Sequence, residues 1–166
     1  SVANLFRQIK KMNANTVMVP VRWFEIEPKK DVYDFRHLDW IYREAEKNDL
    51  KIIFLWFGSN IGGKFVELDG LPYVPEYVSN DPKTYPRVVT ADGKTVDTIC
   101  PLDKNSLERE RAVFRKLIEH IKSMDKDQRI IAIQVENEIR SAPDDIVDKM
   151  GMEQRCHCAE AERLWK

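Results

Sequence analysis

Apolar positions along the chain alternate between helical stripes and short continuous runs. Leu5, Phe6, Ile9 and Met12 fall at i, i+1, i+4 and i+7, the spacing of one helical face. Asn13 to Asn15 breaks that pattern. Val17-Met18-Val19-Pro20-Val21 follows, β-branched and apolar throughout. A strand apolar on both faces is expected inside a parallel sheet covered by helices. Pro20 lacks an N–H for the ladder and argues for a strand end, an edge or a bulge. Residues 24–34 read as a polar connection containing Pro28. Asp34 is the expected N-cap of a second helix with Phe35, Leu38, Ile41, Tyr42 and Ala45 on its apolar face.

Asn48-Asp49 ends that helix, and Ile52-Ile53-Phe54-Leu55-Trp56-Phe57 reads as a second buried strand, closed by Gly58. Residues 58–103 show no sustained period. They hold five glycines and five prolines with Tyr73, Tyr77 and Tyr85 between them, a long loop whose aromatics argue against disorder. Asn105 with Glu108 resembles a capping box for a third helix carrying Leu107, Val113, Phe114, Leu117, Ile118 and Ile121. The third strand is Ile130-Ile131-Ala132-Ile133-Gln134-Val135, and residues 142–166 read as a polar helical tail.

Strands alternating with helices imply parallel pairing. An open doubly wound sheet and part of a (β/α)8 barrel both fit. The open sheet usually carries a phosphate loop, and neither G-x-G-x-x-G nor G-x-x-x-x-G-K-[ST] occurs. The expected fold is therefore α/β, a partial (β/α)8 barrel of about three strands, formed as one unit over 1–166.

Composition narrows the function. The chain has 166 residues, 27 Lys+Arg against 28 Asp+Glu and a formal net charge of −1. That balance lacks the basic excess of a nucleic-acid binder. The longest apolar run is six residues, where a membrane span needs about 20. Cys100 stands alone, and Cys156 and Cys158 flank His157. A structural zinc site usually draws four ligands from two spaced pairs. No second pair is present, so these cysteines are expected to be ordinary helix or tail residues, with no metal and no cofactor.

Ligands of parallel α/β folds bind at the carboxyl ends of the strands. Beyond the first strand lie Arg22, Trp23, Glu25 and Glu27; beyond the second, Trp56, Gly58, Ser59 and Asn60; beyond the third, Gln134, Glu136, Asn137 and Glu138. Tryptophan stacks on sugar C–H faces, and amides and carboxylates bond hydroxyls. Each has an ordinary reading too. Glu25 and Glu27 in a polar turn are as readily solvated charges, and Trp23 and Trp56 serve equally as rim packing. Glu136-Asn137-Glu138 is harder to explain that way, because polar groups set on a core strand cost stability unless paired or used.

These residues carry a resemblance. Ile133 to Ile139 is similar to the Q-x-E-N-E signature of barrel glycoside hydrolases of families 35 and 42, the β-galactosidase type. Val19-Pro20-Val21-Arg22-Trp23-Phe24-Glu25-Ile26-Glu27-Pro28, with Tyr33-Asp34-Phe35, resembles their W-x-x-x-E-P … Y/F-D-F segment. Family 35 usually has Asn at the position of Phe24 and His at that of Ile26. The resemblance implies barrel strands 2 to 4, with Glu138 as general acid/base and Asn137 on the sugar 2-hydroxyl. It also implies a β-galactoside-type carbohydrate substrate, which the strand-mouth residues Gln134, Glu136, Trp23, Glu25 and Trp56 are expected to hold. Retention requires a second carboxylate about 5–5.5 Å away as nucleophile, which the family places on strand 7. A whole barrel runs about 250 residues, so this sequence is expected to carry the acid/base without the nucleophile and to associate with itself or with a missing half. A periplasmic or secreted location would suit such an enzyme. Two other readings stay open: a fragment that at most binds carbohydrate, and an unrelated α/β enzyme using Glu136 and Glu138 as metal or proton ligands.

Overall fold

The computed structural model describes residues 2–58, 73–136 and 156–165. Helix α1 (Val2–Lys11) leads into strand β1 (Thr16–Arg22) and a single helical turn, α2 (Trp23–Ile26). Helix α3 (Arg36–Lys47) and strand β2 (Lys51–Phe57) follow. Then come α4 (Glu76–Ser79), β3 (Arg87–Val89), β4 (Thr95–Ile99), α5 (Lys104–Met124), β5 (Ile130–Gln134) and α6 (Ala159–Leu164).

β1, β2 and β5 form one parallel sheet in the order β1-β2-β5. Pro20 pairs with Leu55 in β1, which has a single sheet neighbour among the described strands, a position that tolerates a missing N–H. The helices cover one face. Val17, Val21, Ile52, Phe54 and Trp56 pack there against Leu38, Ile41 and Ala45 of α3 and Val113 and Leu117 of α5. On the other face the register aligns Met18, Ile53 and Ala132, then Pro20, Leu55 and Gln134. Met18 is 58% exposed there, and Ala132 and Gln134 are exposed as well. The strands are therefore buried on one face and not on both.

The ends opposite the site are fastened by polar contacts. Asp125, just past α5, accepts from the amides of Arg129 (2.7 Å) and Ile130 (3.1 Å) and from the Tyr42 hydroxyl (3.1 Å), fixing where β5 begins. His120 of α5 pairs with Asp39 of α3 at 2.6 Å and stacks on Phe35.

Several sequence expectations need correction. Residues 58–103 are not one loop: α4 and the antiparallel β3–β4 hairpin lie within them. Gly93 adopts φ 84° in the connecting turn, where its amide bonds Thr90 O at 3.0 Å. The α5 N-cap is Asp103, which accepts from the Ser106 amide and hydroxyl, both at 2.8 Å, while the Asn105 amide group donates to Thr84 O. Phe35 occupies the α3 N-cap position, and Asp34 accepts from the Arg36 amide at 3.0 Å. Leu5 and Leu107 are exposed because each lies off its helix's buried line, which runs through Phe6 in α1 and through Ser106, Val113, Leu117 and Ile121 in α5; Met12, also exposed, lies just past the end of α1.

Candidate active site at the carboxyl ends of the strands

The carboxyl end of β5 meets that of β2. Gln134 closes β5, and Glu136 follows two residues later with its backbone at φ 58°, in the left-handed region. The Gly58 amide, immediately after β2, donates to Glu136 Oε1 at 3.1 Å. The Gln134 side-chain amide lies 3.4 Å from Glu136 O. Trp56 Nε1 donates to Glu110 Oε1 of α5 at 3.0 Å, and its ring packs at 5.5 Å from Phe114. Asn137 and Glu138 lie outside the described residues, as do Ser59 and Asn60.

Both tryptophans, expected either to hold the substrate or to serve as rim packing, lie in the core. Trp23 is 0% exposed and Trp56 1%, so both rings sit within the core cluster. Each contributes through its indole N–H, which anchors a carboxylate: Glu27 for Trp23 and Glu110 for Trp56. Glu25 accepts from the Arg22 amide at 3.0 Å and faces α3, with His37 Nδ1 at 3.5 Å. Arg22 itself lies over the Tyr73 ring, which stacks with Phe57.

Glu27 is neither solvated nor at an open mouth; it is wholly buried. One oxygen accepts from Trp23 Nε1 (3.0 Å) and the Tyr77 hydroxyl (2.5 Å), and the other from the Asp31 amide (2.8 Å). Arg109 of α5 completes the cluster, its Nε within 3.3 Å and its Nη2 abutting the carboxylate, while Nη1 reaches Asp31 at 2.9 Å. Burial holds the Arg109 pKa below its ordinary value. Burial, then the neighbouring Tyr85 and Asp31, pushes Tyr77 above its own. This cluster joins α2, α4 and α5 directly behind the strand ends.

Sequence reading missed Arg109 and Glu110 in the charged run Glu108 to Arg111. One signal was available. Glu110 falls in the stripe Ser106, Glu110, Val113, Leu117, Ile121, whose other members are buried.

The structure also gathers the three cysteines. Their sulfurs all lie within 4.8 Å of one another, with Cys100 and Cys158 at 3.7 Å, and all three are free thiols. Amides of Val89 and Cys158 donate to Cys156 Sγ, and that of Ala161 to Cys158 Sγ. Burial pushes the Cys100 thiol up to about 12. At Cys158 burial opposes ionisation, but the Ala161 amide and the other two thiols outweigh it and hold the pKa below its ordinary value. As thiolates the trio could supply three positions of a tetrahedral soft-cation site. Cysteines distant in sequence are thus brought together where no second pair was legible.

Among the described residues, no helix is long and apolar enough to cross a membrane. The family model for the glycoside hydrolase 42 β-galactosidases matches residues 1–62. No curated protein matches the chain. Among solved structures, a family 42 β-galactosidase from G. stearothermophilus superposes with a TM-score of 0.66 at 20% identity, covering 99% of this chain and 21% of its own. The catalytic domain of a β-amylase from Paenibacillus polymyxa gives 0.65 at 13% identity, covering 80% and 32%. An exo-β-1,4-mannosidase from an Opitutaceae bacterium gives 0.59 at 20% identity, covering 86% and 22%. The chain thus spans about a fifth to a third of the length of these structures. What it shares with them is the fold: three parallel strands and their helices form part of a (β/α)8 barrel.

Proposed function

We propose that this chain is the strand 2 to 4 portion of a retaining glycoside hydrolase of β-galactosidase type. Glu138 is its general acid/base, and Asn137 bonds the sugar 2-hydroxyl. The observation that carries the reading is the place of Glu136, at the barrel mouth one residue before Asn137 and two before Glu138. A polar Gln-x-Glu-Asn-Glu run starting from a core strand belongs at a site of use. The family 42 match over residues 1–62 supports it independently, because it rests on the other end of the chain.

In this reading Glu138 protonates the departing glycosidic oxygen and then, as carboxylate, takes a proton from the attacking water. Gln134 and Glu136 line the sugar site. Trp23, Trp56 and Glu25 stand behind it: the two indoles anchor Glu27 and Glu110, and Glu25 closes the turn after β1. The nucleophile comes from a later strand of the same barrel. The substrate is a β-galactoside, and no cofactor takes part.

The test is hydrolysis of aryl β-glycosides by a protein containing the complete barrel, with product anomers followed by NMR. β-Galactoside turnover with the β-anomer formed first is expected. An α-anomer formed first would overturn retention, and no turnover of any glycoside would overturn the assignment. The 166-residue chain alone should turn over slowly or not at all, because loss of one member of a cooperating pair costs several orders of magnitude.

A further inference from the structure

The space over Gly58 links α5 to the exit of β5. A Cβ added to Gly58 would overlap Oε1 of Glu110 and Oε1 of Glu136, so an oxygen of each carboxylate borders the space that a side chain at residue 58 would take. Each has its own donor: the Trp56 indole N–H for Glu110 and the Gly58 amide for Glu136. Glu136 meanwhile holds a left-handed backbone at φ 58°, a conformation that non-glycine residues avoid unless their surroundings impose it. The other described non-glycine residues at positive φ, Asn13, Asp31, Asp49 and Gln128, lie in connections between elements. Glu136 alone of these five stands at a strand's carboxyl end in the barrel mouth.

We infer that Glu110 is a positioning residue of the proposed hydrolase. With Gly58 it forms a latch: the Gly58 amide holds the Glu136 carboxylate and the Glu110 side chain walls it in, which sets the direction in which the chain leaves β5. The inference rests on reading Glu138 as the acid/base. Trp56, rooted in the core, fixes the Glu110 carboxylate from below. The Glu110 side chain and the bare Gly58 Cα then border the space in which the Glu136 carboxylate accepts from the Gly58 amide. That space is open because residue 58 has no side chain. Glu110 contacts no substrate in this scheme; it acts through Glu136.

The experiment compares Glu110→Ala, Glu110→Gln and Gly58→Ala in a 15N-labelled protein containing the complete barrel, reading the Trp56 indole N–H and the Gly58 and Glu136 amides. Glu110→Ala is expected to move all three signals. Glu110→Gln, whose amide oxygen still accepts from Trp56, should restore the Gly58 and Glu136 signals to near wild type. Gly58→Ala should move the Trp56 and Glu136 signals as Glu110→Ala does; where it fails to fold, the Glu110 pair decides. A shift of the Trp56 indole alone in Glu110→Ala overturns the latch, since Glu110 then only satisfies a tryptophan. In a protein containing the complete barrel, Glu110→Ala should lower kcat on aryl β-galactosides with KM little changed. The expected loss is on the order of 10²-fold, the effect of about 1 Å of misplacement, with recovery in Glu110→Gln. An unchanged kcat despite a displaced Glu136 signal also overturns the proposal. A wild-type protein inert on every glycoside counts against the hydrolase reading, and the resonance shifts then decide the latch by themselves.

Discussion

Glu27 and Arg109 show how a charge can be held in the core of this fold. Isolated, either ion would be costly to bury; together they share Tyr77 and Asp31 as hydrogen-bonding partners, and Trp23 donates to Glu27. Removing one partner leaves the other uncompensated. Glu27→Ala should therefore destabilise the protein by about 3–5 kcal/mol, read from urea unfolding. Glu27→Ala combined with Arg109→Met should recover a good part of that. A double variant no more stable than Glu27→Ala would contradict the pairing. The Trp-x-x-x-Glu-Pro motif contains Glu27, but the sequence left it as readily a solvated charge as a site residue. It did not reveal the use, because the partners Tyr77 and Arg109 lie 50 and 82 residues further along the chain. Tyr77 adds a pH prediction. Its pKa is raised in the fold, so its neutral form stabilises the folded state fully below the unfolded value of about 10. Stability should fall as pH climbs above about 10, and Tyr77→Phe should flatten that part of the urea-midpoint profile. An unchanged alkaline slope would exclude Tyr77 as its source.

At the scale of elements, each of the three strands and the helices α1, α3 and α5 was legible, because each is long enough to show its period. The β3–β4 hairpin was not, since β3 has three residues and its signal reduces to Asp92-Gly93 between short β-branched pairs. Helix ends were also misjudged by a residue or two, where several capping residues stand side by side: Asp103, Asn105 and Ser106 all precede or open α5. The structure gives the cap to Asp103. Asp103→Ala should cost about 1 kcal/mol, the usual loss for an N-cap, and Asn105→Ala should cost less. A thermal-unfolding comparison in which Asn105→Ala is the more damaging would reverse the assignment.

The whole molecule presents an unusual surface for a parallel sheet. One face carries Met18, Ala132 and Gln134 in the open, and Ile131 and Val135 are also more than half exposed around β5. In a closed barrel that face packs in layers of side chains. The 166-residue chain alone should accordingly self-associate or unfold with a low urea midpoint, measured by analytical ultracentrifugation alongside denaturation. A monodisperse monomer with a high, cooperative midpoint would mean that this face needs no cover. Sequence alternation gave the barrel class, but it could not separate the helix-covered face from the open one, because both are apolar.

Glu138 is the proposed acid/base of a β-galactosidase-type site. The most direct measurement is the leaving-group dependence of Glu138→Gln in a protein containing the complete barrel. Glycosides whose leaving group needs a proton should slow by about 10²–10⁴-fold, the usual contribution of a positioned general acid. Aryl glycosides with a strongly acidic phenol should lose far less in the glycosylation step. An equal loss on both, or no loss on either, would contradict the role assigned to Glu138.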